Sequence, residues 1–282
     1  MRLVKGSHIV VDRIFDHDRA YIFQNADGRI CFAIPYEQDY TLIGTTDEDF
    51  DGDPSEATIS DEETDYLLAA VSEYLERPIG RDTIRWSYAG VRPLYDDRAR
   101  GAHEVTRDYV LGVEAPPGQP PLLSVFGGKL TTYRRLAEHA LERLASTFPY
   151  MRPPWTRTAR LPGGDIPVTS FDEWTLGVAL RYPSLDPALL HRLCRAFGSR
   201  VDSLLAGVTK PADMGRDFGA GLTERELNYL IAYEWAETAD DVLWRRSKLG
   251  LRMRPEQRVA VERYLQDSHR KSPAASIERQ SR

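Results

Sequence analysis

Leu123-Ser124-Val125-Phe126-Gly127-Gly128-Lys129-Leu130-Thr131-Thr132-Tyr133-Arg134 is the stretch on which the reading of this chain turns. An apolar strand runs into a Gly-Gly turn, and a helix opens from that turn with Lys, Thr and Thr. Glycines let backbone amides approach a ligand closely. The unpaired N–H groups and positive dipole end of the helix suit a phosphate or another electron-rich group, and Lys129 adds a full charge there. The same pattern also describes a plain strand-Gly-helix junction that binds nothing. No Gly-x-Gly-x-x-Gly follows an opening strand anywhere in the chain, so an anion-binding turn is present without a dinucleotide fingerprint.

With 282 residues, 41% of them hydrophobic, the chain can bury one large core or two modest ones. Its net charge of -6 and the lack of a Lys/Arg block argue against a nucleic-acid partner. Cys31 and Cys194 stand in no metal-like or redox spacing, so no metal is expected and a reducing, cytoplasmic setting is the default. The N-terminus has no apolar signal region, and no run approaches a membrane span. Met1 is followed almost at once by the apolar strand Ile9-Val10-Val11, as in a fragment or a truncated gene product.

The first half reads as antiparallel β with insertions. Ile9–Val11, Ala20–Phe23, Cys31–Pro35 and Tyr40–Thr45 are short β-rich runs, and Asn25-Ala26-Asp27-Gly28 is a hairpin turn. Ser60-Asp61-Glu62-Glu63 caps a helix that runs to about Leu75, with Tyr66, Leu67, Ala70, Val71 and Tyr74 on one face. Strands follow at Ile84–Val91, Tyr109–Val113 and Leu122–Val125, then a helix over Thr131–Thr147. Pro149–Gly164, rich in Pro, Arg and Gly, reads as a linker. Beyond it the period is helical over Phe171–Tyr182, Pro187–Phe197, Val201–Leu205, Thr223–Trp235, Thr238–Lys248 and Arg254–Gln266. Asp186-Pro187 and the capping box Thr223-Glu224-Arg225-Glu226 mark two of the starts. The expected class is α+β: an antiparallel-sheet domain over 1–150, an all-α domain over 165–267 and a disordered polar tail over 268–282.

Three more constellations have two readings each. His8 in Gly6-Ser7-His8-Ile9 follows a Gly-Ser turn and is either a packed histidine or a functional one. Arg92 in Ala89-Gly90-Val91-Arg92-Pro93-Leu94 sits at a strand end pinned by Pro93. It offers planar donors to a phosphate or a hydroxyl, or makes a surface ion pair. Ile43-Gly44-Thr45-Thr46-Asp47 is a strand exit, or an Asx-type turn with no partner.

Taken together with Lys5-Gly6-Ser7-His8, Ile34-Pro35-Tyr36-Glu37 and Phe126–Arg134, these motifs resemble, in order and spacing, the FAD-dependent glycerol-3-phosphate dehydrogenases. Leu222–Leu227 and Asp240–Gly250 resemble that family's helical C-terminal domain. The resemblance covers Arg2 to about Asp267. It lacks the family's amino-terminal half with the Gly-rich FAD fingerprint, so the chain resembles the carboxy-terminal half of such an enzyme.

The resemblance implies an enzyme that oxidises sn-glycerol 3-phosphate to dihydroxyacetone phosphate with FAD and passes electrons to quinone. It makes His8 the base, Arg92 the group that holds the substrate oxygen, and Lys129 a charge near the phosphate or the flavin. It places Gly127, Gly128, Lys129, Leu130 and Thr131 at the flavin's pyrimidine end, where a helix N-terminus favours the reduced cofactor. Part of the FAD-binding fold thus falls within the first domain. The other readings are a glycerol-3-phosphate oxidase, with oxygen as acceptor, and an inactive, flavin-free fragment serving as a binding or structural module. Glu104–Tyr109 looks more like the dehydrogenases than the oxidases. A homodimer and a peripheral position at the inner face of the cytoplasmic membrane are further expectations. Pro149–Arg157 would rest on headgroups there, or serve only as a linker with exposed Arg.

Overall fold

The computed structural model describes residues 1–96, 108–167 and 170–271. The chain forms two compact units, Met1–Thr158 and Ala159–Arg282. Antiparallel strands dominate the first and helices the second, so the chain is α+β.

The first unit is organised around one strand. β1 (Arg2–Asp12) pairs antiparallel with β4 (Tyr40–Gly44) and β5 (Glu48–Asp49) along one edge, and with β6 (Ile84–Leu94) along the other. β2 (Tyr21–Gln24) and β3 (Ile30–Tyr36) extend the sheet beyond β4. Strand alternation sends Ser7, Ile9 and Val11 to one face and Gly6, His8 and Val10 to the other. On the first face Ile9, Val11, Cys31, Ala33 and Ile43 pack on α1 (Asp61–Ser72) through Leu67, Leu68, Ala70 and Val71. Each fully buried Leu or Ile here contributes about 1.5–3 kcal/mol. The start of α1 is fixed by a complete capping box: Ser60 Oγ accepts from Glu63 N at 3.1 Å, and Ser60 N donates to Glu63 Oε2 at 2.8 Å.

β7 (Val110–Glu114) pairs with β8 (Leu122–Phe126), and the Gly127-Gly128 turn leads to α2 (Tyr133–Arg143). Two expectations change here. The helix is shorter than Thr131–Thr147, because a 3₁₀ turn over Leu130–Thr132 precedes α2. β6 runs through Arg92 and Pro93 to Leu94, so Arg92 lies within the strand opposite Val4 and not at its end. Among the described strands β6 pairs only with β1, and a proline is tolerated where no ladder partner needs its N–H. Gly6-Ser7, read as a turn, likewise lies inside β1.

The second unit contains α3 (Phe171–Arg181), α4 (Pro187–Phe197), α5 (Val201–Leu204), α6 (Glu224–Tyr233) and α7 (Pro255–Lys271). Two apolar clusters hold it, one around Leu190, Leu193 and Leu205, the other around Leu227, Leu230 and Leu243. A short ladder of β9 (Asp217–Gly219) and β10 (Leu222–Thr223) precedes α6. The box expected at Thr223 is half formed. Thr223 Oγ1 accepts from Glu226 N, but the Glu226 carboxylate is taken by Arg192 at 2.8 and 2.6 Å. Thr238–Lys248 is not a regular α-helix; a π-helix spans Asp241–Arg246. α7 continues to Lys271, past the expected tail start at 268, and 272–282 lie outside the described residues. No helix among the described residues is long and apolar enough to cross a membrane.

Candidate active site

His8 sits at the middle of β1, facing Gly44 on one side and Tyr88 on the other. Its imidazole stacks on Tyr88 with centroids 4.9 Å apart and planes within 3°. The ring occupies space that only a glycine leaves open. A Cβ on Gly44 would stand 2.1 Å from His8 Cδ2. His8 Nδ1 is buried without a hydrogen-bond partner among the described residues. Burial lowers its pKa to about 4, helped by the Arg92 charge and opposed by Asp47. The imidazole is therefore neutral near pH 7, with an unused nitrogen.

Arg92 lies over Gly6, where a Cβ would come within 2.4 Å of its Nη1. Nη1 donates to Asp47 Oδ1 at 2.8 Å and Nη2 to Thr45 Oγ1 at 3.1 Å. The 43–47 segment is thus the partner of Arg92 and not a free turn. Gly6 and Gly44 serve here as absences of side chain, each making room for one charged or titratable group.

A buried carboxylate supports this face from behind. Glu63 is 1% exposed. Its Oε1 accepts from Ser7 Oγ at 2.8 Å and Thr46 Oγ1 at 2.7 Å, and its Oε2 pairs with Lys5 Nζ at 2.9 Å. Thr46 Oγ1 in turn accepts from Ser7 N at 2.9 Å. Burial pushes the Glu63 pKa up, but the Ser60 amide, Lys5, Thr46 and Ser7 outweigh it and hold the carboxyl below the usual range. Glu63 was visible in the sequence only as a helix cap. Its burial beneath Ser7 follows from strand pairing, which no local motif encodes.

The Gly-Gly turn lies beside the end of β6. Gly127 and Gly128 have φ of 70° and 104°, a region open mainly to glycine. A Cβ on Gly127 would approach Tyr95 N at 3.3 Å and Pro93 O at 3.9 Å. Lys129, Leu130 and Thr131 follow, all exposed. The charges that act on His8 are those of Arg92 and Asp47, and Lys129 is not among them. The structure therefore joins His8 to Arg92 and brings the glycine turn to the same strand end. Residues 104–107 of the Glu104–Tyr109 motif lie outside the described residues. No group of three or more His, Cys, Asp or Glu among the described residues is arranged to hold a metal ion.

Comparison with known proteins accords with this arrangement. Residues 1–134 match the family model described as FAD dependent oxidoreductase. Residues 154–266 match the C-terminal domain of alpha-glycerophosphate oxidase. A glycerol-3-phosphate dehydrogenase of Pseudomonas aeruginosa is 49% identical over 97% of this chain and 53% of its own length. The aerobic glycerol-3-phosphate dehydrogenase of Escherichia coli is 44% identical over 94% of this chain and 53% of its own length. The crystal structure of the Bacillus halodurans glycerol-3-phosphate dehydrogenase complexed with FAD aligns with a TM-score of 0.71 at 26% identity, over 94% of this chain and 56% of that one. The chain thus spans about half the length of the relatives it matches. Over that half, the chain is similar to the glycerol-3-phosphate dehydrogenases and matches, in order, the two family models named above.

Proposed function

We propose that this chain forms the substrate side of a flavoenzyme that oxidises sn-glycerol 3-phosphate to dihydroxyacetone phosphate, with FAD as cofactor and quinone as the final electron acceptor. The observation that carries the reading is the buried, unpartnered Nδ1 of His8 beside the Arg92–Asp47 pair. A neutral imidazole with a free nitrogen is what removing a hydroxyl proton requires.

The residues present fit the cofactor and the substrate. Two glycines with positive φ, followed by the exposed Lys129, leave backbone and charge open to an electron-rich ring edge. Gly127, Gly128, Lys129, Leu130 and Thr131 are the residues that would hold it. FAD, when bound, supplies the acceptor for the hydride that leaves the substrate carbon. The neutral His8 imidazole takes the proton of the secondary hydroxyl. Arg92 offers planar, positively charged donors to the oxygen that gains negative charge. Burial is the main cause of the lowered His8 pKa and the Arg92 charge the second, so an anionic substrate beside Arg92 counters the lesser of the two. Lys129 contributes a fixed charge toward the substrate phosphate or the flavin.

Steady-state kinetics on the full-length enzyme test this reading. His8→Ala should lower turnover by a factor on the order of 10²–10⁴ with flavin content unchanged. Near-normal turnover across the neutral and alkaline range would make His8 a structural neighbour only. Arg92→Lys should also damage the enzyme, because a point charge cannot reproduce two planar donors. Lys129→Ala should mainly weaken affinity. Oxygen consumption in place of quinone reduction would favour the oxidase. A full-length preparation without flavin absorbance would favour the binding-module reading. Peripheral attachment at the inner face of the cytoplasmic membrane, through Tyr150, Trp155 and the arginines around them, and a homodimer belong to the same proposal. Tyr150 and Trp155 are 97% and 69% exposed. Salt-dependent liposome co-sedimentation tests the attachment.

A further inference from the structure

We propose that Glu63 is a positioning residue for this site: from the opposite face of the sheet, its carboxylate sets the strand that carries His8 and the turn that holds Arg92. The proposal rests on the reading of His8 and Arg92 given above.

The connectivity makes the case. Ser7 precedes His8 in β1, and Thr46 stands between Thr45 and Asp47, the two residues that bond Arg92. One oxygen, Glu63 Oε1, takes the hydroxyl protons of both Ser7 and Thr46. Because Thr46 gives its proton to Glu63, its lone pairs are left to accept the Ser7 amide. The two backbone segments that carry the site are therefore pinned to each other and to α1 at a single point. A solvent-facing Glu would cap α1 equally well. Burying the carboxylate costs several kcal/mol, offset only while every partner stays in place. Such an arrangement has few alternative geometries.

The groups around the two ends are defined. His8 faces Tyr88 and Arg92 of β6 and Asp47 of the turn, while Glu63 faces Lys5 of β1, with Glu48 of β5 at 3.8 Å from the same ammonium. Tyr36 of β3 has its pKa raised by burial first and by the neighbouring Tyr88 second. Loosening the 45–47 turn changes the distance from Arg92 to His8, and with it the basicity of the imidazole.

The test uses the full-length holoenzyme and this chain together. In the holoenzyme, per bound flavin, Glu63→Ala should lower kcat/KM about 10- to 100-fold, since displacement by about an ångström has that scale of effect. KM should rise, and the acid limb of the pH profile should move as the Arg92 charge shifts away from His8. Glu63→Gln keeps a neutral acceptor for the two hydroxyls and should recover part of the loss. Thr46→Val removes the bonds to Glu63 and from the Ser7 amide at nearly constant volume, and serves if Glu63→Ala fails to fold. In this chain, an NMR titration of histidine-labelled protein should show the His8 midpoint rising in Glu63→Ala. A lower melting temperature with unchanged KM, pH profile and His8 midpoint would overturn the positioning role. If His8→Ala instead keeps normal turnover while the Glu63 variants still move the His8 midpoint, the positioning role stands and the base assignment falls.

Discussion

Gly44→Ala isolates the geometry of His8 with a single methyl group. The new Cβ would lie 2.1 Å from His8 Cδ2 and 2.7 Å from both Cγ and Nε2. Carbon atoms in contact settle at about 3.5 Å or more, so the ring must retreat by about 1.4 Å. It has little room to do so. Tyr88 lies parallel to it at 4.9 Å and blocks movement perpendicular to the ring, and Val10 on the same face of the strand is fully buried. The imidazole must rotate away from its present position, carrying Nδ1 with it. Overpacking of this kind costs about 1–3 kcal/mol of stability, which leaves a folded protein to assay. A misplacement of about an ångström costs a factor on the order of 10² in rate, so the full-length variant should keep its flavin and lose turnover by about that factor. Flavin absorbance, far-UV circular dichroism and steady-state kinetics on one preparation give all three quantities. Turnover within a factor of about three of the parent, with flavin and fold intact, would refute the claim that ring position governs the rate.

Other perturbations probe the same physics elsewhere. Arg192→Met leaves Glu226, 1% exposed, without its bidentate partner and should destabilise the helical unit by about 3–5 kcal/mol in urea titration. Asp241 is held at a pKa of about 2; burial pushes it up, and the Thr238 and Glu237 amides, the Thr238 hydroxyl and Arg246 outweigh that. Because its folded pKa is depressed, its contribution is full above the unfolded value of 3.8 and fades as pH falls toward 2. Asp241→Asn should therefore lower the melting temperature at neutral pH, and the difference should close over that acid window. Gly177 lies inside α3 with open space where a Cβ would go, so Gly177→Ala should add about 0.5–1 kcal/mol by circular-dichroism melting.

Much of the first unit was legible because its signals are local. Short β-rich runs marked β3 and β4, Asn25–Gly28 marked the turn between β2 and β3, and Ser60 with Glu63 marked the start of α1. His8, Arg92 and the Gly127-Gly128 turn stood out because each combines chemistry-bearing residues with glycine or proline. What escaped depends on long-range pairing. Gly6 and Ser7 looked like a turn because glycine usually breaks strands, yet Gly6 is small for the sake of a guanidinium from a strand more than eighty residues on. Arg92 looked like a strand terminus because of Pro93, and only the one-sided pairing of β6 explains the proline. Glu226 looked like half of a capping box, but Arg192 on another helix claims its carboxylate. In each case the local rule was sound and a distant partner overrode it.

β1 is the hub of its sheet, and that has a consequence for how the protein is made. The β2–β3–β4 meander joins neighbours in sequence and can form as successive hairpins. The β1–β6 ladder links residues as far apart as Arg2 and Leu94, and even Asp12 and Arg85 near its other end bond across 73 positions. Closing a loop of that length is entropically costly and slow compared with forming helices from neighbouring residues. His8 waits on β1 while Arg92 arrives on β6, so the two meet only when the last ladder docks. A nascent chain paused before residue 94 would hold the meander and the helix but no complete site. Slow-folding variants should therefore lose activity before they lose most of their secondary structure, with β6 as the segment most exposed to proteases and chaperones in the interval.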